Sequence, residues 1–149
     1  MYIKTDRLLI IPCTEESYKD LADTYKMGPH VEMHLEELKT DCHAKGWGVW
    51  FVIHSESDIV IGDVGFKGKP NHQTVEIGYG IQSDFQNQGF ATEAVNAIKN
   101  WAFASNQVTK IIAECATENA ASMRVLEKIG MSRTSSTDNY IYWQVEFAE

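Results

Sequence analysis

Apolar residues recur along this chain with two periods, and the places where one gives way to the other outline its elements. Leu8, Leu9, Ile10 and Ile11 form an apolar run closed by Pro12, which predicts a first strand. Tyr18, Leu21, Ala22 and Tyr25 then follow at helical spacing. Thr14 stands ahead of them as an N-cap, and Gly28-Pro29 predicts the end of that helix. Val31, Leu35 and Leu38 predict a second helix over 31–42, ended by Gly46. From Trp47 the period shortens. Residues 47–54 and 59–67 are β-rich runs joined by the polar turn 55–58, and 69–72 is a second turn. Residues 74–82 predict a third strand of this meander, with Val75, Ile77, Tyr79 and Ile81 on one face and Glu76, Gly78 and Gly80 on the other. A polar loop leads into a helix over 92–104, with Ala94, Ile98, Trp101 and Ala102 inward. A strand over 110–117, a helix over 119–129 capped by Gly130 and a strand over 140–147 complete the chain. This order predicts an α+β protein, one mixed sheet flanked by about four helices, with no linker dividing residues 1–149.

The length of 149 residues suits one domain with a core that needs neither disulfide nor metal. Thirteen Lys plus Arg against 21 Asp plus Glu leave a net charge of −8, which argues against a general nucleic-acid binder. Cys13, Cys42 and Cys115 lie far apart and odd in number, so neither a disulfide framework nor a thiolate metal site is indicated. The opening residues lack the apolar stretch of a signal peptide, and no run approaches the roughly 20 residues of a membrane helix, so the expected location is the cytoplasm.

The chemistry concentrates in residues 78–94, where a strand ends, a loop carries Gly89 and Ala91, and a helix begins. A helix start leaves backbone N–H groups unpaired and carries partial positive charge, and a glycine lets a ligand approach the backbone closely. Together they make an anion site suited to a diphosphate, without a lysine. Both the phosphate-binding pattern G-x-x-x-x-G-K-[ST] and the dinucleotide pattern G-x-G-x-x-G after a strand are absent. Gln86-Asn87-Gln88-Gly89-Phe90-Ala91 matches [QR]-x-x-G-x-[GA], and with EIGYGIQSDFQNQGFATEAV (76–95) it resembles the strand–loop–helix signature of the GCN5-related N-acetyltransferases, the GNAT superfamily. ECATENAASMRVLEKIGM (114–131) and TDRLLIIP (5–12) resemble further blocks of its ribosomal-protein N-terminal acetyltransferase branch, in the same order.

The resemblance implies an acetyl-CoA-dependent fold whose sheet splays between the strands at 74–82 and 110–117, with the coenzyme in the gap. By similarity, Ile81 and Gln82 would bond the pantetheine arm. Gln86 belongs to the loop signature, and the backbone of Gln88, Gly89, Phe90, Ala91 and Thr92 would hold the diphosphate. Glu93, in the same helical turn, would repel a phosphate and should point away from it. Acetyl transfer to an amine needs a base for the ammonium proton, a donor for the oxyanion and a proton or hydrogen bond for the departing thiolate. Glu76, on the glycine face, is the candidate base, against the reading that it is an ion-paired strand carboxylate. Ser122 matches the serine of the N-x-x-S block and could donate to the thiolate, and Asn119 would cap its helix and touch the coenzyme. Many superfamily members place a tyrosine on that helix as the acid. This chain has none there, which leaves Tyr140 and Tyr142 on the last strand as substitutes.

His30 and His34, i and i+4 beside Glu36, Glu37, Asp41 and His43, lack the H-E-x-x-H pattern and read as surface residues rather than a metal site. Cys115 reads as strand packing rather than an acyl carrier, and Trp47 and Trp50 as core rather than pocket wall. The expected activity is direct acetyl transfer from acetyl-CoA to a primary amine, either a protein N-terminus or a small amine. No metal, nucleic acid or membrane is involved, and a homodimer is compatible with the resemblance. A non-catalytic acyl-CoA sensor is the alternative.

Overall fold

The computed structural model describes residues 1–148. Its strands are β1 (Ile3–Lys4), β2 (Leu8–Pro12), β3 (Val49–His54), β4 (Ile59–Phe66), β5 (Thr74–Ile81), β6 (Lys110–Ala116), β7 (Ser132–Ser136) and β8 (Tyr140–Glu146). They form one sheet in the order β1-β2-β3-β4-β5-β6-β8-β7. The helices are α1 (Glu15–Leu21), α2 (Pro29–Thr40), α3 (Phe90–Ala104) and α4 (Ala120–Lys128). Short 3-10 turns at Cys42–Ala44 and Ser83–Phe85 connect them.

Local chemistry sets the helix ends. Thr14 accepts from the Ser17 amide at 3.1 Å while Ser17 accepts from the Thr14 amide at 2.8 Å, a reciprocal cap on α1. That helix stops at Leu21, short of the predicted reach to Tyr25. Pro29 does not merely end it. It opens α2 at the first helical position, where a missing N–H costs nothing. Asn119 caps α4 by accepting from the Ser122 amide at 3.0 Å. Gly130, at φ 94°, closes it, and the Met131 amide returns to Leu126 O at 3.0 Å.

Every strand pair is antiparallel except β5 with β6. Those two register at only Thr74↔Lys110, Val75↔Ile111 and Glu76↔Ile112. Beyond Glu76 they part, and β6 pairs along its whole length with β8. This is the splay that the resemblance implied.

The alternation along each strand divides the core in two. Ile10, Trp50, Val52, Val64, Ile111 and Trp143 pack under Ala94, Val95, Ile98 and Ala102 of α3 and Leu126 of α4. On the other face Val49, Phe51, Ile53 and Val60 pack with Cys13, Tyr25 and Val31. Strand β3 is therefore buried on both faces, which explains its unbroken apolar run. Sequence patterning missed β1, which is two residues long, and β7, which is polar and exposed at all five positions. An edge strand with neither face buried has no alternation to read.

Candidate active site

The anion site begins with backbone geometry. Asn87 and Gly89 both take left-handed conformations, at φ 62° and 84°. Gly89 is the N-cap of α3, and no side chain caps that end. The first helical bond runs from Glu93 N to Gly89 O at 3.0 Å, so the amides of Phe90, Ala91 and Thr92 are left without helix partners. Phe90 is buried beneath the loop, edge-on to His54, and fixes where the helix starts.

Glu93 does turn away from that start. Its carboxylate accepts from Thr5 Oγ1 at 2.5 Å, the Arg7 amide at 2.9 Å and Arg7 Nε at 2.8 Å. Burial works to raise its pKa, but the Thr5 and Arg7 hydrogen bonds and the Arg7 charge outweigh it, so the carboxyl sits below its ordinary value. Arg7 also donates to Gln88 O at 2.9 Å and lies 4.1 Å over the Phe90 ring. The β1–β2 connection thus braces the anion loop from 80 residues away, a contact invisible in the sequence.

In front of the helix start, between the end of β5 and α4, lies a cleft of about 450 Å³. Of the residues expected to hold the coenzyme, Ile81, Gln86, Gly89, Phe90, Ala91, Thr92, Asn119 and Ser122 all line it. Gln88 does not. Its side chain donates to Asp84 O at 3.1 Å and its carbonyl accepts from Arg7. Gln82 lines the neighbouring cleft instead, and its amide bonds Ile61 O at 2.8 Å, so that N–H is spent within the sheet. Sequence reasoning missed Arg124 and Lys128, which line this cleft one helical turn apart on α4. They bring positive charge to this cleft in a chain of net charge −8, and among the described residues no carboxylate lines it. Their i, i+4 spacing was visible, but not the face they share.

A second cleft, of about 760 Å³, opens on the α2 side of the sheet. The two clefts share Tyr79, Gly80 and Ile81, so they meet on β5. Tyr79 is a residue that the sequence placed on one face of the strand and gave no role. Its hydroxyl is buried and makes no hydrogen bond. Burial raises the phenol above its ordinary value, the nearby Ser122 hydroxyl partly offsets this, and Cys115 adds to it. Ser122 thus acts on the phenol by proximity, without the geometry of a hydrogen bond.

Glu76 lies four residues before Gly80 on the same face of β5 and lines neither cleft. Lys67 Nζ donates to it at 2.6 Å. Lys67 does line the second cleft, and its Cε passes 3.8 Å from where a side chain at Gly78 would begin. The lysine therefore lies along the strand between Glu76 and the junction.

The remaining candidates separate clearly. Tyr140 and Tyr142 pair with Ala116 and Glu114 on the exposed face of β6 and line neither cleft. Cys115 is buried and accepts from Trp143 Nε1 at 3.2 Å. Trp50 is fully buried, its Nε1 donating to Gly46 O at 2.8 Å, and Trp47, also in the core against Phe66 and Trp101, only edges the second cleft. His30 and His34 line that same cleft, and among the described residues no group of three or more His, Cys, Asp or Glu side chains is placed to hold a metal.

A mixed sheet parted between two parallel strands, with unpaired helix-start amides at the mouth of the gap, is an arrangement suited to a diphosphate-bearing coenzyme. The comparisons with known proteins agree. The acetyltransferase (GNAT) domain family matches residues 7–132. An uncharacterized N-acetyltransferase of Bacillus subtilis, YnaD, is 40% identical over 145 residues, covering 89% of this chain and 84% of that protein. A second from the same organism, YjdG, is 29% identical over 100 residues, covering 66% of this chain and 60% of its own length. Among solved structures, RimL, a ribosomal L7/L12 α-N-protein acetyltransferase in complex with coenzyme A, superposes with a TM-score of 0.78 over 98% of both chains at 14% identity, a likeness of fold. This chain belongs to the GNAT acetyltransferase family.

Proposed function

We propose that this protein transfers the acetyl group of acetyl-CoA to a primary amine, by direct attack in a ternary complex. The observation that carries the proposal is the meeting of two clefts at Tyr79, Gly80 and Ile81. One is built for an anion and the other is open to a second molecule from the opposite face of the sheet. A thioester reaching the junction from the first cleft meets an amine from the second with no covalent relay between them, and the buried Cys115 is not needed.

Each part has an assigned group in this reading. The amides of Phe90, Ala91 and Thr92 hold the diphosphate, and Arg124 and Lys128 neutralise its charge. A β5 backbone N–H receives the oxyanion, where one such donor is worth roughly 3 kcal/mol. Ser122 and the Tyr79 phenol, kept protonated by burial, flank the thiolate and supply its hydrogen bond or proton. Glu76 is the base on this strand. It reaches the junction through water once Lys67 releases it, since four residues of strand span about 13 Å. Acetyl-CoA is the only cosubstrate in this reading, with no metal.

The test is a thiol-release assay with acetyl-CoA against a panel of small amines and peptides with free N-termini. Amine-dependent release of coenzyme A supports transfer. Tight acetyl-CoA binding with no release for any amine favours the sensor reading, because the anion loop serves both equally.

A further inference from the structure

We propose that Asp63 is the ammonium-recognition group of the second cleft, and that the acceptor is a small primary amine carried on an apolar or aromatic body. The proposal rests on the acetyl-transfer reading for its purpose but on independent observations for its site.

Asp63 stands on β4 opposite Gly80 in the antiparallel register, so the two share a face. Gly80 is where the clefts join, and a side chain built there would meet nothing within 4 Å. The floor between the Asp63 carboxylate and the junction is therefore bare backbone. An ammonium bound at Asp63 lies beside the position where the thioester arrives.

Two carboxylates line this cleft, Asp63 and Glu37; Glu37 is exposed on α2, whereas Asp63 is half-buried on the strand that meets the junction. Among the described residues, four ion-paired carboxylates have side chains less than a third exposed. Glu93 has Arg7, Glu76 has Lys67 and Asp41 has Lys69 as a permanent cation. Asp63 is the most buried of the four, at 14% exposure, and has none. Among the described residues its oxygens receive only the Tyr25 hydroxyl at 2.6 Å and His30 Nε2 at 2.8 Å. Two donors leave lone pairs unspent on a carboxylate, which can accept about four hydrogen bonds. A buried carboxylate without a full counter-charge is costly, and an incoming ammonium relieves that cost.

The rest of the cleft agrees. Lys67 is occupied by Glu76. His34 is 6% exposed and lines the cleft, with its Nε2 buried and unpartnered. Burial lowers its pKa, with partial opposition from Glu37, so it adds no cation to repel an ammonium at neutral pH. Tyr25, Val49 and Met33 supply apolar surface on this face, with Met33, at 73% exposure, at the mouth. About 760 Å³ is the size of a small-molecule site. A protein N-terminus would set its own peptide groups against Val49 and the Tyr25 ring, which offer a peptide N–H or C=O no partner.

The test is calorimetric titration of phenethylamine into protein saturated with coenzyme A. Asp63→Asn keeps the shape and removes the charge. It should weaken phenethylamine binding by about tenfold or more while leaving coenzyme A affinity and melting temperature unchanged. Met33→Arg, on an exposed helix face that tolerates the change, should weaken the amine several-fold by repulsion and serves if the first variant folds poorly. Wild-type protein that binds no phenethylamine, or variants that bind it as the wild type does, would overturn the site. A hexapeptide with a free N-terminus acetylated with higher kcat/KM than phenethylamine would overturn the substrate class. Turnover is read separately. Amine binding that depends on Asp63, with no acetyl transfer, would refute the catalytic reading and leave this site standing. Transfer that ignores Asp63 would do the reverse.

Discussion

Arg7→Met tests whether the anion loop is preorganised from a distance. The substitution keeps the aliphatic stem over Phe90 and removes the guanidinium, which lies 2.8 Å from Glu93 Oε1, 2.9 Å from Gln88 O and 4.1 Å over the Phe90 ring. The Arg7 side chain is 42% exposed and Glu93 18%, so solvent screening limits the ion pair to about 1 kcal/mol. The bond to the Gln88 carbonyl adds about 1 kcal/mol. A total near 2 kcal/mol lowers the melting temperature by about 4–8 °C in a chain of this size. The effect on coenzyme has a separate origin. Glu93 loses its cation, and two unit charges roughly 10 Å apart repel by about 1.5 kcal/mol at an effective dielectric of about 20. Acetyl-CoA should therefore bind about tenfold more weakly by calorimetry, and less so as salt is added. Pairing Arg7→Met with Glu93→Gln should restore most of the affinity, because the unneutralised carboxylate is gone. Wild-type affinity and stability in the single variant would refute the bracing. A double variant binding as weakly as the single would refute the electrostatic half.

Gly89→Glu combines a φ of 84°, which costs an L-residue about 1–2 kcal/mol, with a carboxylate at the anion site, and should abolish acetyl-CoA binding in a protein that still shows a cooperative melt. Glu76→Gln should cut turnover by about 10² or more and flatten its pH profile with coenzyme affinity unchanged, whereas wild-type rates would leave Glu76 only its ion pair with Lys67. Tyr79→Phe removes a buried hydroxyl with no partner, so the melting temperature should hold or rise while the acetyl-transfer rate falls, and an unchanged rate would remove the phenol from the chemistry. The lowered pKa of Glu93 means that its charged form is bound more tightly in the fold than in the unfolded chain. Its stabilisation is present above the ordinary carboxylate range near pH 4.5 and is lost as pH falls through the folded value. The stability gap between wild type and Glu93→Gln, measured by urea unfolding, should therefore close in acid. A gap that stays constant as pH falls from neutral through the acid range would count against the assignment.

The chain's own pattern settles most of the local structure. The Thr14 and Asn119 caps, the meander over β3, β4 and β5, the inward stripe of α3 and the unpaired amides at its start all follow from periodicity, hydroxyl and amide caps, and one glycine. These depend on residues within a few positions of each other, which is why one sequence suffices to read them. Tertiary structure decided what depends on long-range pairing. It ended the β5–β6 ladder at Glu76, made β7 from a polar segment with no alternation and brought Tyr25, between α1 and α2, and His30, on α2, to Asp63. It also brought Arg7 to a loop some 80 residues away and set Arg124 and Lys128 on the coenzyme side of α4. Charge partners and cavity walls are chosen by which faces come together, and a strand or helix carries no local mark of the face it will meet.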